Sequence, residues 1–325
     1  MKKTKNAKFS KKKKIIIVLS CILGTFLVLF ISSYFIIGNF FFKYSLDATF
    51  ATVHNAPNEM VVEMPIPKTE DEWFENIPKS EEEIASGGYA LKAYKILASN
   101  NEHKWVIIIH GYRSKARDMS HYARKFYEEG FNVLMPDLKG HGQSEGKYVG
   151  MGYSDSLDIL KWINVIIEED SEAKIVLHGV SMGGATVMFT TGLKLPENVV
   201  CAIEDCGYSN VYNQFRYIAK EIMGLPIVDF LMGASDVFVR ARMGASLKQM
   251  NVVDALKKST TPTLFIHGDT DDFVPFKMLD EVYNANLGLE KEKLVIEGAT
   301  HAYSATLEES LYFNSVFEFV EKYTK

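Results

Sequence analysis

The sequence has 325 residues, enough chain for one large domain or two small ones. Hydrophobic residues make up 47% and charged residues 24%, a globular balance that excludes a disordered chain or a disulfide-stabilised miniprotein. The net charge of −5 is uneven: residues 1–14 hold eight lysines and no acid, whereas the remainder has 28 basic against 41 acidic side chains. The chain after residue 14 is therefore acidic, which argues against a nucleic-acid partner, since phosphate contacts need a basic face.

An uncharged apolar run follows the basic tail of residues 1–14. It covers residues 15–37, and these 23 residues would span about 35 Å as a helix, enough to cross the hydrocarbon core. The lysines predict a cytoplasmic N-terminus, with the rest of the chain outside the cell membrane. A cleaved signal peptide is the alternative, but its apolar region is about 7–15 residues long and precedes small residues. We therefore predict an uncleaved single-pass anchor over residues 15–37.

The remainder divides into a predicted tether and a predicted domain. Residues 38–84 contain four prolines, several acids and no sustained periodicity, which predicts the tether. From residue 85 to residue 325, short β-branched runs alternate with segments of helical spacing. The predicted strands are 105–110, 132–136, 174–178, 199–204, 263–267 and 293–297, and the predicted helices include 119–129, 157–167 and 277–286. This order is typical of an α/β fold whose mostly parallel sheet carries helices on both faces.

A long apolar insertion interrupts this alternation. Nearly sixty residues separate the predicted strand near residue 204 from the one at residue 263, and they are too apolar for a solvated loop. We predict an inserted helical cap over about residues 208–250. The alternative is a further pair of helices packed on the sheet.

One short motif carries the sharpest chemical signal. A predicted strand leads into Gly179-Val180-Ser181-Met182-Gly183, and a helix-like stretch follows. The pattern G-x-S-x-G in this context predicts a tight turn that projects the serine hydroxyl from the edge of the sheet. A serine hydroxyl needs a neighbouring base to become a nucleophile.

Candidates for the base and its orienting acid occur after the last two predicted strands. His301 is the histidine best placed on a loop at the carboxyl edge of the sheet. The segment 267–275 offers three acids, Asp269, Asp271 and Asp272, and Asp205 could supply the acid in a rearranged triad. The sequence contains no H-E-x-x-H, paired C-x-x-C or G-x-x-x-x-G-K-[ST] pattern, so we expect neither a metal nor a phosphate-binding cofactor.

Four segments together resemble the alpha/beta-hydrolases of the serine esterase and monoacylglycerol-lipase type, in particular their membrane-anchored bacterial relatives. They are 110–112, 137–144, 179–183 and 267–275, which occur in the family's order within residues 85–325. One departure is Lys139, where the family usually has arginine in D-x-R-G-H-G.

The resemblance implies a role for individual residues. The nucleophile falls on Ser181, the base on His301, and the acid, fifth residue of the H-G-x-x-D pattern, on Asp271. The family's oxyanion hole falls on the backbone N–H groups of Tyr112 and Met182.

The expected function is that of a membrane-anchored serine hydrolase that cleaves a small apolar ester through an acyl-enzyme, without a cofactor. Peptidase, thioesterase and acyltransferase activities on the same triad are alternatives. A membrane-anchored binding module without turnover is the alternative from a different class.

Overall fold

The computed structural model describes residues 11–53, 68–99, 103–288 and 290–325. Most of the predicted basic tail and the middle of the predicted tether, residues 54–67, therefore lie outside the described residues.

Helix α1 comprises Lys11–Leu46 and contains the whole predicted anchor. No charge occurs between Lys14 and Lys43, and the side chains of residues 11–33 are exposed. By length and composition, α1 can cross a membrane. A soluble domain rarely leaves so large an apolar surface in water, so this part of α1 is suited to a lipid environment.

Residues 38–46 differ from the tether predicted for them, because they continue α1 without a break. Phe42 and Leu46 are fully buried in the core of the domain, and Phe42 packs edge-on against Tyr148 at 5.1 Å between ring centroids. The aromatic run after Ile37 is apolar enough to be buried, and neither proline nor an exposed polar stretch ends the helix there. The predicted anchor is therefore joined directly to the domain.

The sheet has eight strands in the order β1-β2-β4-β3-β5-β6-β7-β8, and only β2 runs against the others. The strands are β1 Ser80–Ser86, β2 Tyr89–Ile96, β3 Lys104–Ile109, β4 Asn132–Pro136, β5 Lys174–Val180, β6 Val199–Asp205, β7 Thr263–Gly268 and β8 Lys291–Ile296. The six predicted strands correspond to β3–β8. The mostly parallel α/β fold is confirmed.

The hairpin of β1 and β2 was not predicted. Strand β1 begins at Ser80, within the predicted tether and five residues before the predicted start of the domain. Its sequence carries three consecutive glutamates, because it is an edge strand with mostly exposed side chains. The central strands have apolar runs because they are buried, whereas β1 is mostly exposed and lacks such a run.

Helices cover both faces of the sheet. The helices that follow α1 in the chain are α2 Ala48–Val53, α3 Lys68–Asn76, α4 Ser120–Glu128, α5 Asp155–Glu169, α6 Met182–Thr191, α7 Val211–Tyr217, α8 Val228–Met243, α9 Val252–Leu256, α10 Lys277–Ala285, α11 Ser304–Leu307 and α12 Glu309–Thr324. Alternate residues of β3 enter opposite cores: Ile107 packs in the core that contains α5 and α6, and Ile108 in the one that contains α4 and α12. Both faces of the central strands are therefore buried, as in other parallel sheets.

The predicted cap corresponds to helices inserted between β6 and β7. Helix α7 continues into a π-helical turn, Ile218–Ile222, and α8 follows after a short loop. Helix α8 packs along α1: a Cβ added to Gly38 would lie 2.3 Å from the carbonyl oxygen of Ala234. Only glycine permits so close an approach of the two backbones.

Candidate active site

Ser181 lies at the turn between β5 and α6, in a strained backbone conformation with φ 58° and ψ −117°. Two glycines make this turn possible by close packing. A Cβ on Gly179 would lie 2.2 Å from the carbonyl oxygen of Gly183, and a Cβ on Gly183 would lie 2.0 Å from that of Ile109. The turn therefore projects the serine side chain beyond the carboxyl edge of the sheet.

The structure brings Ser181, His301 and Asp271 together. His301 Nε2 lies 2.8 Å from Ser181 Oγ, and His301 Nδ1 lies 2.7 Å from Asp271 Oδ2. Because a carboxylate only accepts hydrogen bonds, Nδ1 carries the proton and Nε2 is free to accept one from the hydroxyl. This is the geometry that a hydroxyl nucleophile, its base and an orienting acid require.

Asp271 is held in its ionised form by its neighbours. Its Oδ1 accepts hydrogen bonds from the backbone N–H groups of Phe273 and Val274, at 2.9 and 2.8 Å. Burial alone would raise the pKa of Asp271, but its electrostatic interaction with His301 and hydrogen bonds from His267 and His301 hold it well below its ordinary value. A permanently ionised carboxylate fixes the tautomer of the base.

His267 is a second histidine on the same carboxylate, which sequence analysis did not identify. Its Nε2 lies 3.2 Å from Asp271 Oδ2 and 3.0 Å from the carbonyl oxygen of Val274. Both partners are acceptors, so this nitrogen carries a proton. The H-G pattern at the end of β7 was the available signal in the sequence, because it places His267 immediately before the loop that carries Asp271.

Asp205, the alternative acid, is not the partner of His301 Nδ1. It is fully buried at the end of β6, and burial raises its pKa to about 6. Asp269 accepts from the backbone N–H of Gly298 and so ties two loops together. Of the acids considered from the sequence, only Asp271 makes the required contact.

The loop that follows β3 lies against the serine. A Cβ on Gly111 would be 3.5 Å from Ser181 Cβ, and Tyr112 and Met182 line the same pocket as Ser181. Met182 is the first residue of α6, where a backbone N–H has no partner within the helix. The two residues predicted to form an oxyanion hole therefore lie beside the serine.

Two buried histidines support this loop. His110 Nε2 accepts from the backbone N–H of Leu138, and His141 Nε2 accepts from that of Arg113. Burial lowers the pKa of His110 to about 4 and that of His141 to about 3, so both are neutral acceptors. Their hydrogen bonds connect neighbouring loops, so both histidines have a structural role.

The pocket at the serine is apolar. The residues that line it have uncharged side chains: Tyr112, Met151, Ser181, Met182, Tyr208, Gln214, Phe215, Ile218 and Phe273. The ring of Phe273 lies 4.9 Å from that of His301, between centroids. Sequence analysis did not assign Tyr208, Gln214 or Phe273, because they come from three separate segments that only the tertiary fold brings together.

One group among the described residues has the composition of a metal site. Potential ligand atoms of Cys206, Asp271 and His301 lie within 4.8 Å of one another. Burial raises the pKa of the Cys206 thiol, which disfavours the thiolate that binds metals. Both ring nitrogens of His301 are already hydrogen-bonded. These residues therefore fit a proton-transfer site better than a metal centre.

Comparison with known proteins agrees with the fold. Residues 100–225 match the family described as serine aminopeptidase, S33. The chain is 28% identical to the uncharacterized protein YqkD of Bacillus subtilis over 77% of its length and 82% of that protein. It is 25% identical to a monoacylglycerol lipase of Mycolicibacterium smegmatis, over 61% of this chain and 81% of the lipase.

A solved structure agrees as well. The Pyrococcus furiosus esterase Pf2001 superposes with a TM-score of 0.63 at 24% identity, over 82% of this chain and 97% of the esterase. The sheet order and the strand–turn–helix at Ser181 thus define an alpha/beta-hydrolase fold. The proteins that the chain resembles include a serine aminopeptidase family, a lipase and an esterase.

Proposed function

We propose that this protein is a membrane-anchored serine esterase that cleaves an apolar carboxylic ester through Ser181, His301 and Asp271. The observation that carries the proposal is the unbroken hydrogen-bond chain from the Ser181 hydroxyl through the His301 imidazole to the Asp271 carboxylate, at 2.8 and 2.7 Å. It begins in an uncharged pocket and ends on a buried, ionised acid.

In the acylation step, Ser181 Oγ attacks the ester carbonyl carbon while His301 Nε2 takes the hydroxyl proton. Asp271 stabilises the resulting imidazolium through Nδ1–H. The N–H groups of Tyr112 and Met182 bind the oxyanion, a contribution of roughly 3–4 kcal/mol per donor. The imidazolium then protonates the departing alkoxide, which leaves an acyl-enzyme.

Deacylation repeats these roles with water. His301 takes a proton from a water molecule, whose oxygen attacks the acyl carbon and forms a second oxyanion. Collapse of this intermediate returns the proton to Ser181 Oγ and releases the carboxylic acid. No cofactor takes part in this scheme.

The lining of the pocket supports an ester over a free peptide. An aminopeptidase recognises the ammonium group at the end of its substrate, and a buried ammonium needs a charged or strongly polar partner. None of the described residues that line the pocket carries a charge. Thioesterase and acyltransferase activities would use the same triad and differ in the leaving group or the final acceptor.

The N-terminal helix supports the membrane location. We propose that residues 15–37 cross the cell membrane, with the lysines of residues 1–14 on the cytoplasmic side and the catalytic domain outside. The exposed apolar surface of α1 over residues 15–33 is the supporting observation.

Covalent labelling of the full chain with a fluorophosphonate tests the proposed nucleophile. We expect labelling at Ser181 and hydrolysis of p-nitrophenyl esters, with both lost in Ser181→Ala. Ser171→Ala changes an exposed serine and serves as the matched control. A wild-type protein that neither labels nor turns over any ester would favour the noncatalytic binding module instead.

A further inference from the structure

A second apolar cavity lies between helix α1 and the cap. Its empty space is about 520 Å³, part of which is open to solvent. Its lining is almost entirely apolar and comes from α1, α7, the π-helical turn, α8 and the loops next to them; it includes Phe41, Phe215, Ile218, Leu231, Met232 and Ser235. Such a space is suited to an aliphatic chain and not to a polar group.

The cavity shares a wall with the pocket at Ser181. Phe215 of α7 and Ile218 of the π-helical turn line both spaces. The two spaces therefore adjoin each other along these two side chains.

Helix α1 is a fixed wall of this cavity. Tyr34 packs edge-on against Phe230 of α8 at 5.0 Å between centroids, and the Asn39 side chain accepts a 2.7 Å hydrogen bond from Arg242. Together with the backbone contact at Gly38, these interactions hold α1 against the cap along several turns. The part of α1 that lines the cavity is therefore as well positioned as the cap itself.

The position of the cavity along α1 points to the source of the chain. Phe41 follows the last residue of the proposed span, Ile37, by four residues, which places it about 6 Å farther along the helix. The headgroup layer of a bilayer is about that thick on each side of the hydrocarbon core. The cavity thus lies at the depth where lipid-derived esters are found.

We propose that the acyl chain of the ester substrate binds in this cavity, so that the anchor helix α1 forms part of the substrate site. This inference rests on the proposed esterase function and names its substrate class: esters of long, unbranched aliphatic acids that are present at the membrane surface. The chain passes between Phe215 and Ile218, with its far end against Phe41 and Ser235.

A chain-length series tests the assignment in the full protein reconstituted in lipid nanodiscs. The substrates are p-nitrophenyl esters from acetate to decanoate and beyond. Phe41→Ala enlarges the cavity from the α1 side, and Ser235→Phe fills it from the α8 side. Phe40→Ala is the matched control, because Phe40 is next to Phe41 on α1, is 52% exposed and does not line the cavity.

The expected wild-type profile rises with chain length and then ends at a cut-off. Two added methylenes change kcat/KM by roughly tenfold while room remains, so Phe41→Ala is expected to raise kcat/KM roughly tenfold for chains just beyond the cut-off. Ser235→Phe is expected to lower the ratio of kcat/KM for decanoate to kcat/KM for acetate at least roughly tenfold. Phe40→Ala should follow the wild-type profile.

Two outcomes overturn the assignment while leaving the proposed function intact. One is a flat or falling wild-type profile with clear acetate turnover. The other is a chain-length cut-off that shifts equally in Phe41→Ala and Phe40→Ala, or that shifts in neither. This comparison decides the matter even if Ser235→Phe fails to fold. Absence of both labelling and turnover in the wild type is distinct, since it removes the proposed function itself.

Discussion

The hydroxyl of Tyr112 donates a 2.7 Å hydrogen bond to the carbonyl oxygen of Ser45, in the last turn of α1. The neighbouring Arg113 donates to the carbonyl oxygen of Tyr44 at 3.0 Å. The last carbonyl groups of a helix have no partners within it, and here two of them are satisfied by the loop proposed to form the oxyanion hole. The end of the anchor helix thus helps to position that loop.

The Tyr112→Phe substitution tests this link. It removes one hydrogen bond and leaves the backbone N–H in place, so we expect the free energy of unfolding to fall by about 1 kcal/mol. We expect kcat to fall roughly threefold to tenfold with little change in KM, since the oxyanion is bound only in the transition state. Thermal denaturation and acetate-ester kinetics measure both, with the exposed Tyr153→Phe as control. An unchanged kcat would show that the loop is positioned without α1.

Truncation separates the anchor from the buried end of α1. Deleting residues 1–29 keeps the contacts of α1 with the cap, and we expect a folded, active domain. Deleting residues 1–43 also removes Phe42, and the loss of a buried phenylalanine typically costs about 3–5 kcal/mol. We expect that shorter protein to be poorly folded or inactive, as measured by thermal denaturation and fluorophosphonate labelling. Equal stability of the two truncations would contradict the packing seen at Phe42.

Asparagine substitution distinguishes three of the candidate acids. Asp271→Asn is expected to lower kcat on the order of 10⁴-fold, because the amide stabilises the wrong tautomer of His301. Asp272→Asn changes the next residue in the chain, which is not the partner of His301 Nδ1, and should retain most of the activity. Asp205→Asn should do the same. A crippling effect at Asp205 and not at Asp271 would reassign the acid.

Glu204 gives the protein a predictable pH dependence of stability. Burial raises its pKa to about 8 from an ordinary value of 4.5. Between these pH values the folded state binds more protons than the unfolded state, so the contribution of Glu204 to stability falls as pH rises through this window. Glu204→Gln stays neutral, and its thermal midpoint should fall less from pH 5 to pH 8 than that of the wild type. The exposed Glu168→Gln should follow the wild type; parallel curves for all three would refute the assignment.

The elements around Ser181 were predictable because their signals are local. The G-x-S-x-G pattern sets the turn, and the apolar runs of the central strands follow from burial on both faces of the sheet. The hydrogen bonds among Ser181, His301 and Asp271 join segments 120 and 30 residues apart. The sequence indicated these partners through the order of the strands and through the resemblance to the alpha/beta-hydrolases.

The contacts of α1 could not be predicted in the same way. Gly38 and Ala234 are small residues nearly two hundred positions apart, and nothing in either segment indicates that their backbones meet. The aromatic residues that follow Ile37 suit a membrane interface and a protein core equally well. Their burial depends on the cap, whose packing is a property of the whole fold.

The continuity of α1 from the proposed span to the core also determines how far the enzyme can reach. A flexible tether would let the catalytic domain sweep a volume, whereas a helix that ends inside the domain holds the active site at one height and one orientation. The 36 residues of α1 extend about 54 Å, and only about 14 Å separates Ile37 from Leu46. With the helix across the bilayer as proposed, the active site meets its substrates at the membrane surface. Esters in the headgroup layer are then the ones that it can reach.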